Sequence, residues 1–131
     1  MKYLLDVNTL IALGHTGHAD HSKTIGWFVS VMKRAEELAT SSITELGFVR
    51  VAVQTGLQPD VATAKTALLN LKISSSVRFR LIPDTIGIDQ LPPFAKTPSR
   101  LTDGHLLELA RAYGMRLVTL DKGIPGALLI E

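Results

Sequence analysis

The sequence contains no cysteine. That excludes a disulfide framework, a cysteine-based zinc site and a thiol nucleophile, and it fits a cytoplasmic protein. Long apolar runs are missing as well. The run that begins at Tyr3 is broken at Asp6, too early for a signal peptide, and no other run reaches the length of a membrane span. Nor is there a large excess of one charge. A net charge of +2 leans only mildly toward anionic partners such as nucleic acid. No repeat, linker or low-complexity tract interrupts the chain. What is present, 131 residues with 46% hydrophobic and 20% charged side chains, has the size and composition of one soluble domain, 1–131, with a real core.

Short apolar stretches alternate with helical patterns. Lys2 to Leu5 reads as a buried strand, and Val7 to Leu13 as a short helix stopped by Gly14. A polar loop with His15, His18 and His21 follows. Ile25, Phe28, Met32 and Ala35 then recur at helical spacing, with Trp27, Val29 and Val31 widening the apolar face. Leu38 to Ser41 is a second strand. Ser42-Ile43-Thr44-Glu45 matches a Ser-x-x-Glu capping box and opens a helix to about Thr55. Pro59 and Asp60 suit the first turn of another, striped with Val61, Ala64, Leu68 and Leu71. Phe79 to Ile82 is a third strand, and 84–99 is irregular, with room for one helical turn. A helix from Thr102, with Leu106, Leu109, Ala110 and Tyr113 on one face, leads to a fourth strand, Arg116 to Leu120, and Ala127 to Ile130 adds a last one. This alternation predicts an α/β fold: a three-layer sandwich with a mostly parallel five-stranded sheet between helices.

Four of the twelve acids stand apart by position. Asp6 ends the first strand and Asp121 the fourth. Glu45 and Asp103 lie in the first turns of helices next to the second and fourth strands. Each has a simpler explanation: Asp6 as a helix cap, Glu45 as the capping-box partner, Asp103 as a charge favouring its helix N-terminus, Asp121 as a turn residue. Those explanations leave open why all four fall on the strand-to-helix edge, where open α/β sheets bind ligands and right-handed crossovers bring such edges together. Two carboxylates roughly 6 Å apart repel by about 3 kcal/mol at an effective dielectric of 20. Four such groups must take up protons or bind hard cations, and carboxylate oxygens suit Mg²⁺ or Mn²⁺. Metal held this way is equipment for hydrolysing phosphodiesters.

Leu5-Asp6-Val7-Asn8-Thr9-Leu10, Thr44-Glu45-Leu46-Gly47-Phe48-Val49-Arg50, Thr102-Asp103-Gly104-His105-Leu106-Leu107 and Thr119-Leu120-Asp121-Lys122-Gly123 together resemble PIN-domain ribonucleases. Among these they are most similar to the VapC-type toxins of toxin–antitoxin pairs. The resemblance spans nearly the whole chain, in order and spacing. It implies that Asp6, Glu45, Asp103 and Asp121 form the acidic metal-binding and catalytic set. It also implies that Asn8, Thr9 and Thr119 are supporting polar positions, and that the sheet is five-stranded and parallel. Further implications are an RNA substrate cut to 5′-phosphate and 3′-hydroxyl ends, a homodimer, and inhibition by a cognate VapB-type antitoxin. Gly104 departs from the pattern, since a helix former such as Ala is more usual there.

An acidic pocket needs cations at its rim to hold RNA. Arg100 before Asp103, Lys122 beside Asp121, and Arg50 one turn beyond Glu45 are the candidates by position. The His15/His18/His21 spacing invites a zinc reading, but no cysteine joins it and an exposed loop near the site mouth is the better one. Trp27 and Phe28 fit core or interface rather than a base-stacking platform. A mean hydropathy of +0.23 suggests some apolar surface hidden in a dimer or a partner groove. Two other functions stay open. Asp6-Val7-Asn8-Thr9 is one residue from the Asp-x-Asp-x-Thr motif of haloacid-dehalogenase-type phosphatases, in which Asp6 would be the nucleophile; Asn8 cannot carry that mechanism's proton. The other is a catalytically silent PIN-like scaffold that binds RNA or protein, which would be expected to have lost acids that this chain keeps.

Overall fold

A computed structural model describes residues 1–34, 36–77 and 79–131; Ala35, expected on a helix face, lies outside them. Five strands, β1 (Lys2–Leu5), β2 (Glu37–Thr40), β3 (Phe79–Leu81), β4 (Arg116–Thr119) and β5 (Leu128–Leu129), form one sheet in the order β3-β2-β1-β4-β5. Every pairing is parallel. Five helices connect them: α1 (Val7–Gly14), α2 (His21–Lys33), α3 (Ser42–Gln54), α4 (Val61–Ser74) and α5 (Leu101–Ala112).

Side-chain alternation along the strands sorts the core into two layers. Tyr3, Leu5, Leu38 and Val118 face one way, where they pack with Leu10, Phe28, Val31, Phe48 and Leu68 from α1 to α4. Leu4, Ala39 and Leu117 face the other, against Leu106, Leu107, Leu109 and Ala110 of α5. Helices therefore cover both faces. From β1 the chain first crosses to β2 on one side, and β4 later pairs on the other. The crevice at the carboxyl ends of β1 and β4 is thus the topological switch point, where ligands bind in such sheets.

The elements differ from the sequence reading in a few places. The cap of α3 is Ser41, not Ser42. Its backbone is extended, its hydroxyl accepts from Thr44 N at 3.3 Å, and Thr44 Oγ1 accepts from Ser41 N at 2.8 Å. The reciprocal box is thus Ser41 with Thr44, and Glu45 has no part in it. Asp60 is the cap of α4 rather than a first-turn residue, with Oδ1 2.7 Å from Thr63 N. Ala64 and Leu68 are buried as expected, but Val61, at the very start of α4, is 62% exposed. On α2 the buried positions are Thr24, Phe28 and Val31. The segment before α5 contains two short 3₁₀ turns, Ile88–Gln90 and Pro98–Arg100. It also explains Gly104: a Cβ there would stand 2.7 Å from Ala95 Cβ and 3.2 Å from Leu91 Cδ1.

Candidate active site

Asp6 follows β1 directly and caps α1. Its Oδ1 accepts from Thr9 N at 2.9 Å. The cap and the site position are one residue, because the helix starts where the strand ends. Asp6 is only 5% exposed. Burial raises its carboxyl pKa above the ordinary value; the Thr119 and Thr9 side chains and the Thr9 amide oppose the rise, and the charge of Asp103 adds to it. Thr9 Oγ1 donates to Val118 O at 3.2 Å, tying α1 to β4.

Across the crevice, Thr119 Oγ1 accepts from Asp121 N at 3.0 Å, so one threonine touches the surroundings of both the first and the last acid. Asp121 Oδ1 accepts from Gly123 N at 2.7 Å, which fixes the turn after β4. Asp103 enters from the first turn of α5. Its carboxyl pKa is raised too, chiefly by burial; Arg100 opposes this and the charge of Asp121 reinforces it. Arg100 Nη1 lies 2.8 Å from Asp121 Oδ2 and 3.3 Å from Asp103 Oδ2. Its guanidinium rests against Gly123, where any Cβ would overlap it.

Asp6, Thr9, Thr119, Asp103, Asp121 and Arg100 are thereby one linked set. Glu45 stands beside β2 with a different neutraliser. Its Oε2 accepts from Thr40 Oγ1 and from Lys72 Nζ, each at 2.5 Å. Asn8 is exposed, and among the described residues its side chain has no hydrogen-bond partner; it lines a cavity of about 340 Å³ with His18, Asp20, Leu120 and Asp121. Arg50 is exposed on the apolar groove between α3 and α4, and Lys122 is exposed beside Asp121. Neither makes an ion pair among the described residues, so both remain available to a ligand.

Sequence reasoning missed Lys72, because its partner Glu45 is 27 residues away on another helix. It also missed Thr40, which ends β2 as Thr119 ends β4; Thr119 itself is marked only by the family resemblance. The three histidines do not converge. His15 Nδ1 contacts Ile11 O at 2.8 Å and its ring stacks on Phe48, while His21 Nδ1 contacts Ala12 O at 2.7 Å. Trp27 packs edge-on against Tyr3 at 5.4 Å, a core contact.

Among the described residues, no three His, Asp or Glu side chains are grouped closely enough to enclose an ion alone. Mg²⁺ does not require such a cage: it keeps several waters and uses one or two carboxylates together with substrate phosphates. Hard oxygen donors set close enough that the charge of Asp103 raises the pKa of Asp6, and that of Asp121 the pKa of Asp103, fit that mode.

The PIN domain family model matches residues 3–126. The chain is 38% identical to ribonuclease VapC38 of Mycobacterium tuberculosis over 124 residues, covering 92% of this chain and 86% of that protein. Among solved structures, PAE2754 from Pyrobaculum aerophilum superposes with a TM-score of 0.63 at 23% identity, covering 99% of this chain and 84% of that one. VapBC2 from Rickettsia felis, bound to a DNA fragment from its promoter, gives a TM-score of 0.59 at 18% identity, covering 98% and 97%. The chain belongs to the PIN-domain family, among its VapC-type ribonucleases.

Proposed function

We propose that this chain, acting as one unit over 1–131, is a Mg²⁺- or Mn²⁺-dependent endoribonuclease and the toxin of a toxin–antitoxin pair. The observation that carries the reading is the linked set at the switch point: buried Asp6, half-buried Asp103 and exposed Asp121, the charge of Asp103 acting on Asp6 and that of Asp121 on Asp103, with Arg100 bridging the last two. Asp6, Asp103, Asp121 and Glu45 would hold the divalent ion. When bound, that ion supplies charge neutralisation for in-line displacement at a phosphodiester.

The chain's own residues do the rest. Thr9 fixes the Asp6 carboxylate through its backbone N–H, and Thr119 holds the Asp121 backbone in register with β4. Asn8, at the mouth, offers amide hydrogen bonds to the substrate backbone. Arg100, Lys122 and Arg50 provide phosphate contacts that position RNA without reading sequence. A phosphatase mechanism is disfavoured because Asn8 has no carboxyl to move a proton, and the retained acids disfavour a silent scaffold.

A VapB-type antitoxin is the expected partner, by analogy with the two-component assembly named in the Rickettsia structure. Exposed Leu46, Val61, Leu69 and Ile73 on α3 and α4 supply apolar surface for that partner or for a homodimer. No helix of the described residues is long and apolar enough to cross a membrane; the RNA this chain acts on is proposed to be cytoplasmic.

Incubation of the purified protein with structured RNA tests the proposal. Cuts bearing 5′-phosphate ends that need Mg²⁺ or Mn²⁺ and vanish with chelator are expected. Cleavage indifferent to chelator, or a phosphoryl group trapped covalently on Asp6, would overturn it.

A further inference from the structure

Three histidines lie at the junction of α1 and α2, His21 being the first residue of α2, and they have different surroundings. His15 and His21 are tied by their rings to backbone carbonyls of α1, and His15 Nε2 also meets Gln58 Nε2 at 3.0 Å. His18 is not tied in this way. Its Nδ1 accepts from Asp20 N at 3.0 Å, so in the neutral ring the proton sits on Nε2. Among the described residues Nε2 has no partner. His18 and Asp20 line the 340 Å³ cavity that opens from Asn8 and Asp121, with Leu120 as its apolar surface.

The size is at the lower end of small-molecule sites, about 300–1,000 Å³, and suits one nucleoside rather than a stretch of chain. Its lining favours a base over a phosphate, because Asp20 and Asp121 are both acceptors only, and the Lys23 and Arg100 that pair with them are not among the lining residues. A neutral base with donors on its edge is the part of an RNA that fits between them. Single-stranded RNA is read in this way, by unstacked bases that lie against aromatic rings, histidine included, and bond through their edges. Lys23 Nζ is 3.5 Å from Asp20 Oδ1, a loose exposed pair that uses at most one lone pair of that oxygen, and Oδ2 has no partner among the described residues, so both Asp20 oxygens can still accept.

We propose that this cavity is a nucleoside subsite next to the scissile phosphate, in which His18 stacks on one unpaired base and Asp20 selects guanine. The argument is one of edge chemistry. Guanine presents N1–H and the N2 amine side by side, two donors for the two oxygens of a carboxylate. Adenine and cytosine set a single amine beside an acceptor, and uracil sets one N–H between two carbonyls; each would turn a lone pair toward Asp20. The His18 Nε2–H and the Asn8 amide remain for ribose hydroxyls.

The subsite rests on the ribonuclease reading, and the experiment separates the two. RNA oligonucleotides randomised over several positions are cut by the purified full chain with Mn²⁺, and the product ends are sequenced. Enrichment of guanine at one position adjoining the cut is expected. Asp20→Asn, which replaces one acceptor by a donor, should reduce that enrichment about tenfold, the discrimination typical of a lost bidentate base contact. His18→Ala should raise KM more than it lowers kcat, and His18→Gln, which keeps a donor at the ε position, should recover part of the loss. Cleavage with no guanine preference, or a preference that survives Asp20→Asn in a folded variant, would refute the subsite while leaving the ribonuclease intact. No metal-dependent cleavage of any RNA would remove both.

Discussion

Arg100 stands between Asp103 and Asp121, 3.3 and 2.8 Å from their oxygens, where it neutralises the charge that a divalent ion would otherwise meet. At about 3 Å and an effective dielectric of 20, each contact has a gross attraction near 5 kcal/mol. The groups are partly exposed, 31% for Arg100, 24% for Asp103 and 43% for Asp121. Each pair is therefore worth about 1 kcal/mol or less net. Arg100→Ala should then lower fold stability by no more than about 1–2 kcal/mol. The freed carboxylates should bind Mn²⁺ more tightly by a similar free energy, roughly 5–30-fold. RNA binding should weaken, since a phosphate contact is lost. Calorimetric titration with Mn²⁺, beside anisotropy of a labelled RNA and circular dichroism as a fold control, reads all three. Mn²⁺ affinity that stays constant or falls in a folded Arg100→Ala variant would show that Arg100 does not occupy the ion's electrostatic place.

Asp6→Asn should stabilise the metal-free protein at neutral pH. Burial raises the Asp6 pKa in the native state, so the favourable contribution is full below the unfolded value and is lost as pH rises through the raised one. Asparagine keeps the cap without the charge. In chelator, melting should therefore favour the variant at pH 7, with the gap closing toward pH 4; a variant less stable at pH 7 would contradict the buried-charge account. Gly104→Ala should destabilise despite better helix propensity. The gain of about 1 kcal/mol is outweighed by an overpacking cost of about 1–3 kcal/mol against Ala95 and Leu91, and denaturant unfolding gives the sign directly.

Much of this was legible in the sequence because the relevant physics is local. A charged residue ending an apolar run marks the carboxyl end of a strand, and that sufficed for Asp6 and Asp121. The order of strands and helices was enough for a parallel sheet. What depended on tertiary contact was not visible. The Ser42–Glu45 spacing imitated a capping box, but the backbone placed the cap one residue earlier and released Glu45 to Thr40 and Lys72. Val61 fits the α4 stripe by spacing yet lies outside the packed surface. Gly104 departs from the family pattern in sequence, and in the fold it is a point where α5 packs too closely on Leu91 and Ala95 to admit a Cβ. The His15–His21 stretch reads as an exposed loop, whereas His15 is buried against Phe48 and His21 opens α2, so only His18 faces the site mouth.

The central claim is that carboxylates at the switch point hold the ion that cuts RNA. Its most direct test is cleavage of a structured RNA in Mn²⁺ by wild type, Asp6→Asn and Asp103→Asn, each shown to be folded. The account predicts cutting by the wild type alone. Full activity in either variant would contradict it.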